Sequence, residues 1–472
     1  MRRSSRALVA ALGLALGGCS FAPPLQVPEV PLAAAYKEEA PWTRAKPADE
    51  LPRDAWWTLY GDAQLDALQA RLVKGSPDLA AALARYEQAK AFTDQLRSGL
   101  YPLIGGAANA QRIRQSESRP LRVLGATSPD VYSSRTLGVQ IDYEFDLWGR
   151  IRNQIASGSA SEQAAQADLE SARLSLQAQL ADSYIALRGL DREIALFTDT
   201  VAAYRKALDL TQSRHGGGLA SGLDVSRAQT TLDVARSQEA QQAAQRAVVE
   251  HAIAALIGES PSQFALAPSL DPINLPSIPT GVPSALLQRR PDIAAAQRRI
   301  MAANANIGVA RAAYFPAITL SGNAGYQDSG TGSFITAPNL FWAIGPSLVM
   351  ALFDAGRRDA QVAQARAVLD ENGARYRGVV LGAFQEVEDN LALLHHYRTA
   401  AEAERSAVES AQRSLDFATS RYRDGAASYL EVVTSQAAAL QTQREALDLD
   451  TRQQRASVQL IRALGGGWEA TP

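Results

Sequence analysis

Gly75-Ser76-Pro77-Asp78-Leu79-Ala80 returns later in the chain as Arg289-Arg290-Pro291-Asp292-Ile293-Ala294, and Tyr101-Pro102 returns as Phe315-Pro316, both at an offset of 214 positions. Pairs that share one register mark an internal duplication, which decides the architecture before any local reading does. Further on, Gly149-Arg150 matches Gly356-Arg357, and Arg214, Gly218, Ser221 and Leu223 match Arg421, Gly425, Ser428 and Leu430, all at an offset of 207. The change of offset falls between the Tyr-Pro and Gly-Arg marks. A loop joining two regular elements absorbs such an indel most easily.

The bracketed sequence reads as strand. Leu137, Val139, Ile141, Tyr143 and Phe145 alternate with Gln140, Asp142 and Glu144, the period of 2 that puts successive side chains on opposite faces. The run has the length of a membrane strand, roughly 9 to 11 residues. In the second copy Ile318, Leu320, Ala324 and Tyr326 alternate with Thr319, Ser321 and Asn323, and Trp342, Ile344, Leu348, Met350 and Leu352 share one parity. Each repeat thus supplies a strand pair, predicted at about 103–146 and about 317–353. Alternation alone also fits a soluble hairpin with one wet face.

Around the strands the pattern is helical. Arg150 to His215 contains no proline, is rich in Ala and Gln, and carries Leu169, Leu174, Leu176, Leu180, Tyr184 and Leu187 near helical spacing. One helix of that span reaches roughly 100 Å. Arg357 to Arg423 repeats it, and returning helices are predicted from about Gly222 to Ile257 and from about Tyr429 to Leu464. The hairpin turns hold Gly216-Gly217-Gly218 and Asp424-Gly425. Shorter helices start near Pro77 and Pro291.

Four membrane strands are too few to close a barrel, and an open edge in lipid leaves backbone groups unpaired at several kcal/mol each. Several chains must share one barrel, and three copies supply twelve strands under cyclic symmetry. A ring of long helices continuing below makes a second, coaxial tube. The fold class expected is therefore an α+β membrane protein: a trimeric twelve-stranded β-barrel continued by a long α-helical barrel, built from two internal repeats.

The N-terminus points to export. Arg2, Arg3 and Arg6 precede an apolar run from Ala7 to Leu16, the order of a signal peptide over residues 1–18. The run ends Leu16-Gly17-Gly18-Cys19, which resembles a lipobox, so Cys19 is expected to become the mature N-terminus carrying a diacylglycerol and an N-acyl chain. As the one cysteine in the chain it has no intramolecular disulfide partner. Residues 19–60, proline-rich from Pro23 to Pro52, read as an extended tether; 61–270 is the first repeat, 271–464 the second and 465–472 a tail. The formal charge of -2 offers no basic field for phosphate backbones, which argues against a nucleic-acid partner. Beyond the leader no apolar run approaches the roughly 20 residues of a membrane-spanning helix.

At this point the residues resemble a known family, the TolC-like outer-membrane efflux proteins, and within it the lipoprotein branch (the NodT type) serving RND-type tripartite pumps. The carrying motifs are Trp56-Trp57 with Gly61-Asp62 and Leu65; Ser76-Pro77-Asp78-Leu79; Arg290-Pro291-Asp292-Ile293; Asn306-Ile307-Gly308-Val309-Ala310-Arg311 leading to Phe315-Pro316; and Leu352-Phe353-Asp354-Ala355-Gly356-Arg357. Each is weak alone; their order and spacing together are specific, and they cover nearly the whole mature chain. The resemblance implies a homotrimer, a periplasmic helical tube closed at its lower end, opening on docking with a periplasmic adaptor, and an inner-membrane RND transporter as the source of cargo. It makes the turns Arg214 to Asp224 and Arg421 to Glu431 the gate and adaptor-contact regions. Leu430 is expected as an apolar ring narrowing the duct, with Leu223 as its repeat mate and Glu431 and Asp224 beside them; the alternative, favoured for Leu223, is that the leucines pack between neighbouring helices. Arg214, Gly218, Ser221, Arg421, Gly425 and Ser428 are the expected adaptor contacts. Family members often carry an acidic residue one turn after the gate leucine, where this chain has Thr434. Gln140, Asp142 and Glu144 are expected to face the barrel lumen, either favouring cations or simply wetting the wall. Ser20 after the lipidated Cys19 implies sorting to the outer membrane.

Catalysis finds no support. His215 falls in a turn, His251 in a helix, and the adjacent His395 and His396 point about 100 degrees apart on a helix. Gly216-Gly217-Gly218 follows a helix and lacks the Lys-Ser or Lys-Thr of a phosphate loop. Glu386, Glu388 and Asp389 read as a solvated helix face. No cofactor or metal is expected besides the lipid on Cys19. The competing readings are an exit duct for type I protein secretion and a non-conducting periplasmic helical adaptor or scaffold lipoprotein; the second accounts poorly for two hairpins that each come with a strand pair.

Overall fold

A computed structural model of the chain describes residues 20–28, 36–37, 55–116, 118, 131–278, 289–330 and 332–466. The leader, Cys19, most of the tether and the tail beyond Gly466 lie outside the described residues. Helices α1 (Ala63–Gly75) and α2 (Pro77–Ser98) lead into strands β1 (Leu103–Arg114) and β2 (Val131–Glu144), followed by α3 (Arg150–Gly216) and α4 (Gly222–Leu256). The second half runs α5 (Pro291–Ala312), β3 (Ala317–Asp328), β4 (Leu340–Val349), α6 (Arg357–Arg423) and α7 (Tyr429–Ala463). Counterparts have equal lengths: 22 residues for α2 and α5, 67 for α3 and α6, 35 for α4 and α7.

Local chemistry sets the ends of these elements. Pro77 and Pro291 stand at the first position of their helices, where a missing N–H costs nothing. Asp62 caps α1 by accepting from the Gln64 and Leu65 amides at 2.8 and 3.0 Å. At the two strand-to-helix junctions an aspartate does the same work. Asp146 accepts from the Ile151 and Arg152 amides at 3.1 and 2.9 Å, and Asp354 from the Gly356 and Arg358 amides at 3.2 and 3.3 Å. Ala355 sits at φ 52° in the second junction, a left-handed position ordinarily left to glycine.

The strands form one antiparallel sheet in the order β1-β2-β3-β4. Strand β2 bridges the halves, pairing Ile141 with Ile104 on one side and Gly322 on the other. Strand β4 ends at Val349, short of the predicted span to 353. Met350 and Leu352 keep the parity of an apolar face but lie past the ladder, because the chain is already turning toward the Asp354 cap. The sheet also needs glycine at Gly325: a Cβ built there would stand 2.2 Å from the Leu137 carbonyl oxygen.

Two compact units result, and each draws on both halves of the chain. The first holds the sheet with residues 86–165 and 296–376; the second holds 29–85, 166–295 and 377–472. In the first unit Ser20–Pro28 lies against α5 and α3: Asn304 Nδ2 donates to the Pro23 carbonyl at 2.9 Å, and Arg311 donates to that of Phe21 at 3.0 Å. Phe21 stacks on Phe315 at 4.5 Å, and Phe315 on Trp148 at 4.8 Å. In the second unit Leu65, Leu68 and Leu72 of α1 bury against Leu180, Ile253 and Ile461 of the long helices. The last part of the predicted tether joins this core. Trp56–Tyr60 forms a short 3-10 helix with Trp56 and Tyr60 buried, and the Tyr60 hydroxyl lies 2.7 Å from that of Ser457.

Candidate functional site

Strand register sorts the sheet into two chemically distinct faces. On one, β1 to β4 contribute Ile104; Leu137, Val139, Ile141 and Tyr143; Ile318, Leu320, Ala324 and Tyr326; and Leu340, Trp342, Ile344 and Leu348. Trp342 is 71% exposed and Ile344 64%, so this apolar face has no cover among the described residues. The other face carries Asn109, Gln111, Thr136, Gln140, Asp142, Glu144, Thr319, Ser321, Asn323 and Gln327.

The three residues read from the sequence as lumen-facing all lie on this polar face, but in different states. Asp142 accepts from Gln140 Nε2 at 2.9 Å and from the Ser321 hydroxyl at 2.8 Å. Glu144 is engaged by Arg150 through two bonds of 2.8 and 2.6 Å, so its charge is largely neutralised. Among the described residues no basic side chain pairs with Asp142, whose side-chain partners are the neutral Gln140 and Ser321.

The hairpin tips are the second constellation. In the first, Leu219 N–H bonds the Arg214 carbonyl at 2.8 Å with Gly218 at φ 73°; in the second, Ala426 N–H bonds the Arg421 carbonyl at 2.8 Å with Gly425 at φ 79°. Both are left-handed helix ends that need glycine. The returning helices start differently. Ser221 and Asp224 form a reciprocal capping box, whereas Ser428 makes no side-chain cap and Glu431 instead faces Arg421 at 3.3 Å. That pair is exposed on both sides and contributes little.

Arg214 does more than its place in a turn suggested. Its guanidinium reaches the other hairpin, donating to the carbonyls of Tyr422 at 2.6 Å and Arg423 at 3.2 Å, and sits 4.7 Å from the centre of the Tyr422 ring. It thereby caps the last carbonyls of α6. Beneath it Tyr204, Tyr422, Tyr429, Leu232 and Val432 form a buried cluster shared by both hairpins. Leu223 and Leu430 are outside that cluster, 59% and 48% exposed, and Leu219 at the turn is 73% exposed. The tyrosines escaped the sequence reading; the signal available was a tyrosine on either side of the Gly425 turn, Tyr422 at the end of α6 and Tyr429 at the start of α7.

Burial pushes the Tyr429 hydroxyl up to about 12, with the neighbouring Tyr422, Tyr204 and Asp224 adding to the shift, and burial pushes Tyr204 up to about 12 as well. The folded tip therefore favours the neutral rings. Their stabilisation is complete below the unfolded value of about 10 and is lost as pH rises through 12. Ultraviolet difference titration of wild type against Tyr429→Phe is expected to place this ionisation near pH 12, followed by loss of helix signal. An ionisation near pH 10 would mean that the ring is solvated.

Among the described residues no helix is long and apolar enough to cross a membrane, and no group of three or more His, Cys, Asp or Glu is placed to hold a metal ion. Known proteins carry the same architecture. Residues 68–259 and 282–466 match the family model of the outer membrane efflux protein. The chain is 32% identical to the outer membrane protein OprJ of Pseudomonas aeruginosa over 97% of its own length and 95% of the relative's. It superimposes on the crystal structure of the outer membrane protein VceC of Vibrio cholerae with TM-score 0.81 and 31% identity, covering 88% of this chain and 99% of that one. On the open state of the MtrE outer membrane channel of Neisseria gonorrhoeae the values are 0.82 and 25%, over 95% and 98%. The family match enters both halves of the chain, and the structural likeness spans strands and helices alike, so the chain belongs to the outer membrane efflux protein family.

Proposed function

We propose that three copies of this chain close a twelve-stranded barrel in the outer membrane and form the passive exit duct of a tripartite efflux system. Its cargo, drugs or other small molecules, is delivered by an inner-membrane RND-type transporter through a periplasmic adaptor. The observation that carries the reading is a four-stranded sheet with an uncovered apolar face whose outer strands, β1 and β4, have no further partner within the described chain. A sheet of this kind in lipid requires closure by neighbouring copies. Channel activity needs no catalytic group in this chain, and the energy for export comes from the pump. In the family to which the chain belongs, the sheet sits in the outer membrane and the helices extend into the periplasm.

Within that duct we assign the periplasmic gate to Leu430 and Leu223, with Glu431 and Asp224 beside them. The two leucines are exposed at the hairpin tips and not used in the chain's own core, which leaves them available to face the tube axis. Gly218, Ser221, Arg421, Gly425 and Ser428 form the surface offered to the adaptor. Arg214 sits among them but commits its guanidinium to the neighbouring hairpin. Lipidation of Cys19 would anchor the chain beside the membrane, consistent with Ser20 donating to Asn153 at 2.9 Å close to the strand-to-helix junction.

Planar-bilayer recording of the purified mature protein and of Leu430→Ala tests the reading. Low-conductance wild-type channels and wider, more frequent openings in the variant are expected. Trimers that insert but stay silent in both forms, even with the adaptor present, would overturn the duct and favour a scaffold.

A further inference from the structure

Where the strands meet the helices, the polar face of the sheet borders a cavity of about 630 Å³. That volume suits a drug-sized molecule. Its lining comes entirely from the first compact unit: the end of α2 and the turn after it, the first residue of β1, the adjoining ends of β2 and β3, and the start of α3. One side is apolar. Leu103 stands directly opposite Asp142 in the ladder, and residues so paired share a face. A leucine is thereby set on the polar side, 71% exposed, with Tyr101 close by at 73%. The other side carries an anion. Asp142 is half-buried and accepts from Gln140 Nε2 on one oxygen and from the Ser321 hydroxyl on the other. Both donors are neutral, so the carboxylate is held in place with lone pairs to spare and its charge is not cancelled. The second acid of the lining, Glu144, is paired with its one base, Arg150.

Arg357, which opens α6, follows β4, two strands from β2, and is not part of the lining. In the twelve-stranded closure β4 of the neighbouring copy stands beside β1. The residues that β4 sets on the polar face at this end are Gly345, Ser347 and Val349, paired with Ser321, Thr319 and Ala317. None of them carries a charge to answer Asp142. A wall that had only to stay wet has no use for an exposed leucine and tyrosine beside an uncompensated carboxylate. We propose that this cavity binds lipophilic cations on their way through the duct. The Asp142 carboxylate faces the positive group, while Tyr101 and Leu103 cover the apolar or aromatic body. Water reaches the half-buried carboxylate and screens the attraction, so the cation is held weakly enough to move on. The site rests on the reading above that this face of the sheet lines the export path.

The test uses the full mature protein, trapped as trimers in a non-ionic amphipol, and two probes of matched size and opposite charge, tetraphenylphosphonium and tetraphenylborate. Binding is read by equilibrium dialysis against protein-free amphipol. Wild type is expected to retain the cation and not the anion. Asp142→Asn, which keeps the shape of the side chain, is expected to bind the cation roughly tenfold more weakly. Equal retention of the two ions by wild type, which needs no variant to fold, would overturn the proposal. So would unchanged cation binding in Asp142→Asn. Tetramethylammonium, a cation without the apolar body, is expected not to displace the probe at equal concentration; displacement would reduce the site to a bare charge and remove the cavity from it. Planar-bilayer recording on the same preparations separates this site from the duct on which it rests. Conducting trimers that do not retain the cation remove the site and leave the duct. Trimers that retain it through Asp142 and never conduct remove the duct and leave the binding cavity.

Discussion

Asp191→Ala is expected to destabilise the helical unit by about 3–5 kcal/mol, the cost of breaking a buried ion pair from one side. Its carboxylate is shared by two arginines: Arg188 at 2.6 Å through one oxygen and Arg246 at 2.6 Å through the other, with the Ser269 amide at 3.2 Å as a third donor. The side chains of Arg188 and Asp191 are 2% and 1% exposed. Removing the acid leaves two guanidinium groups facing each other where water cannot take over, although the Ala267 carbonyl and Tyr184 hydroxyl would still engage Arg188. The network also has a mechanical consequence. It clamps the segment carrying Leu266, Ala267 and Ser269, which follows α4, onto α3 and α4. Thermal unfolding followed by helix circular dichroism is the measurement. A large drop in midpoint for Asp191→Ala and a smaller one for Asp191→Asn, which keeps the shape and loses the charge, are expected. Midpoints equal to wild type would mean that the two arginines are solvated.

Arg214→Ala is expected to open the duct about tenfold more often in planar bilayers, while leaving the conductance of the open state unchanged. A charge-assisted hydrogen bond is worth about 1.5–3 kcal/mol, and Arg214 makes two of them to carbonyls of the other hairpin while covering the Tyr422 ring. Its loss uncovers the end of α6 and removes a side-chain clamp between the two hairpins, but leaves the Tyr422–Thr211 hydroxyl contact and the tyrosine cluster beneath in place. Arg214→Lys keeps the charge without the fork and is expected to fall between wild type and alanine. Opening statistics identical in all three would place the gate entirely in the leucines.

Much of this architecture was legible in the sequence because it follows local rules. Alternation over Leu137 to Phe145 anticipated strand β2 and its two faces, since parity alone decides which side chains share a face. The absence of proline between Arg150 and His215 and the glycines at the turns anticipated α3 and both tips. Strand β1 was reached only through its place in a repeat: Gly105, Gly106, Ala107 and Ala108 have no strand propensity of their own, and the ladder with β2 holds them extended. The excess strand length assigned to Met350 and Leu352 arose because parity carries no information about where hydrogen bonding stops.

By itself the sequence determined the helical hairpins, the paired strands and the family, all properties of spacing within one segment or between segments. The tertiary structure alone decided which charges remain available. Glu144 is consumed by Arg150, six residues away. Arg214 is consumed by carbonyls 208 and 209 positions along, and Asp191 by arginines on two helices and an amide in a loop. Apart from Arg188 and Asp191, which stand three residues apart on α3, none of these pairings has a period or a motif. They exist because packing brings distant polar groups out of water together, and a group so placed must find a partner or the fold loses stability.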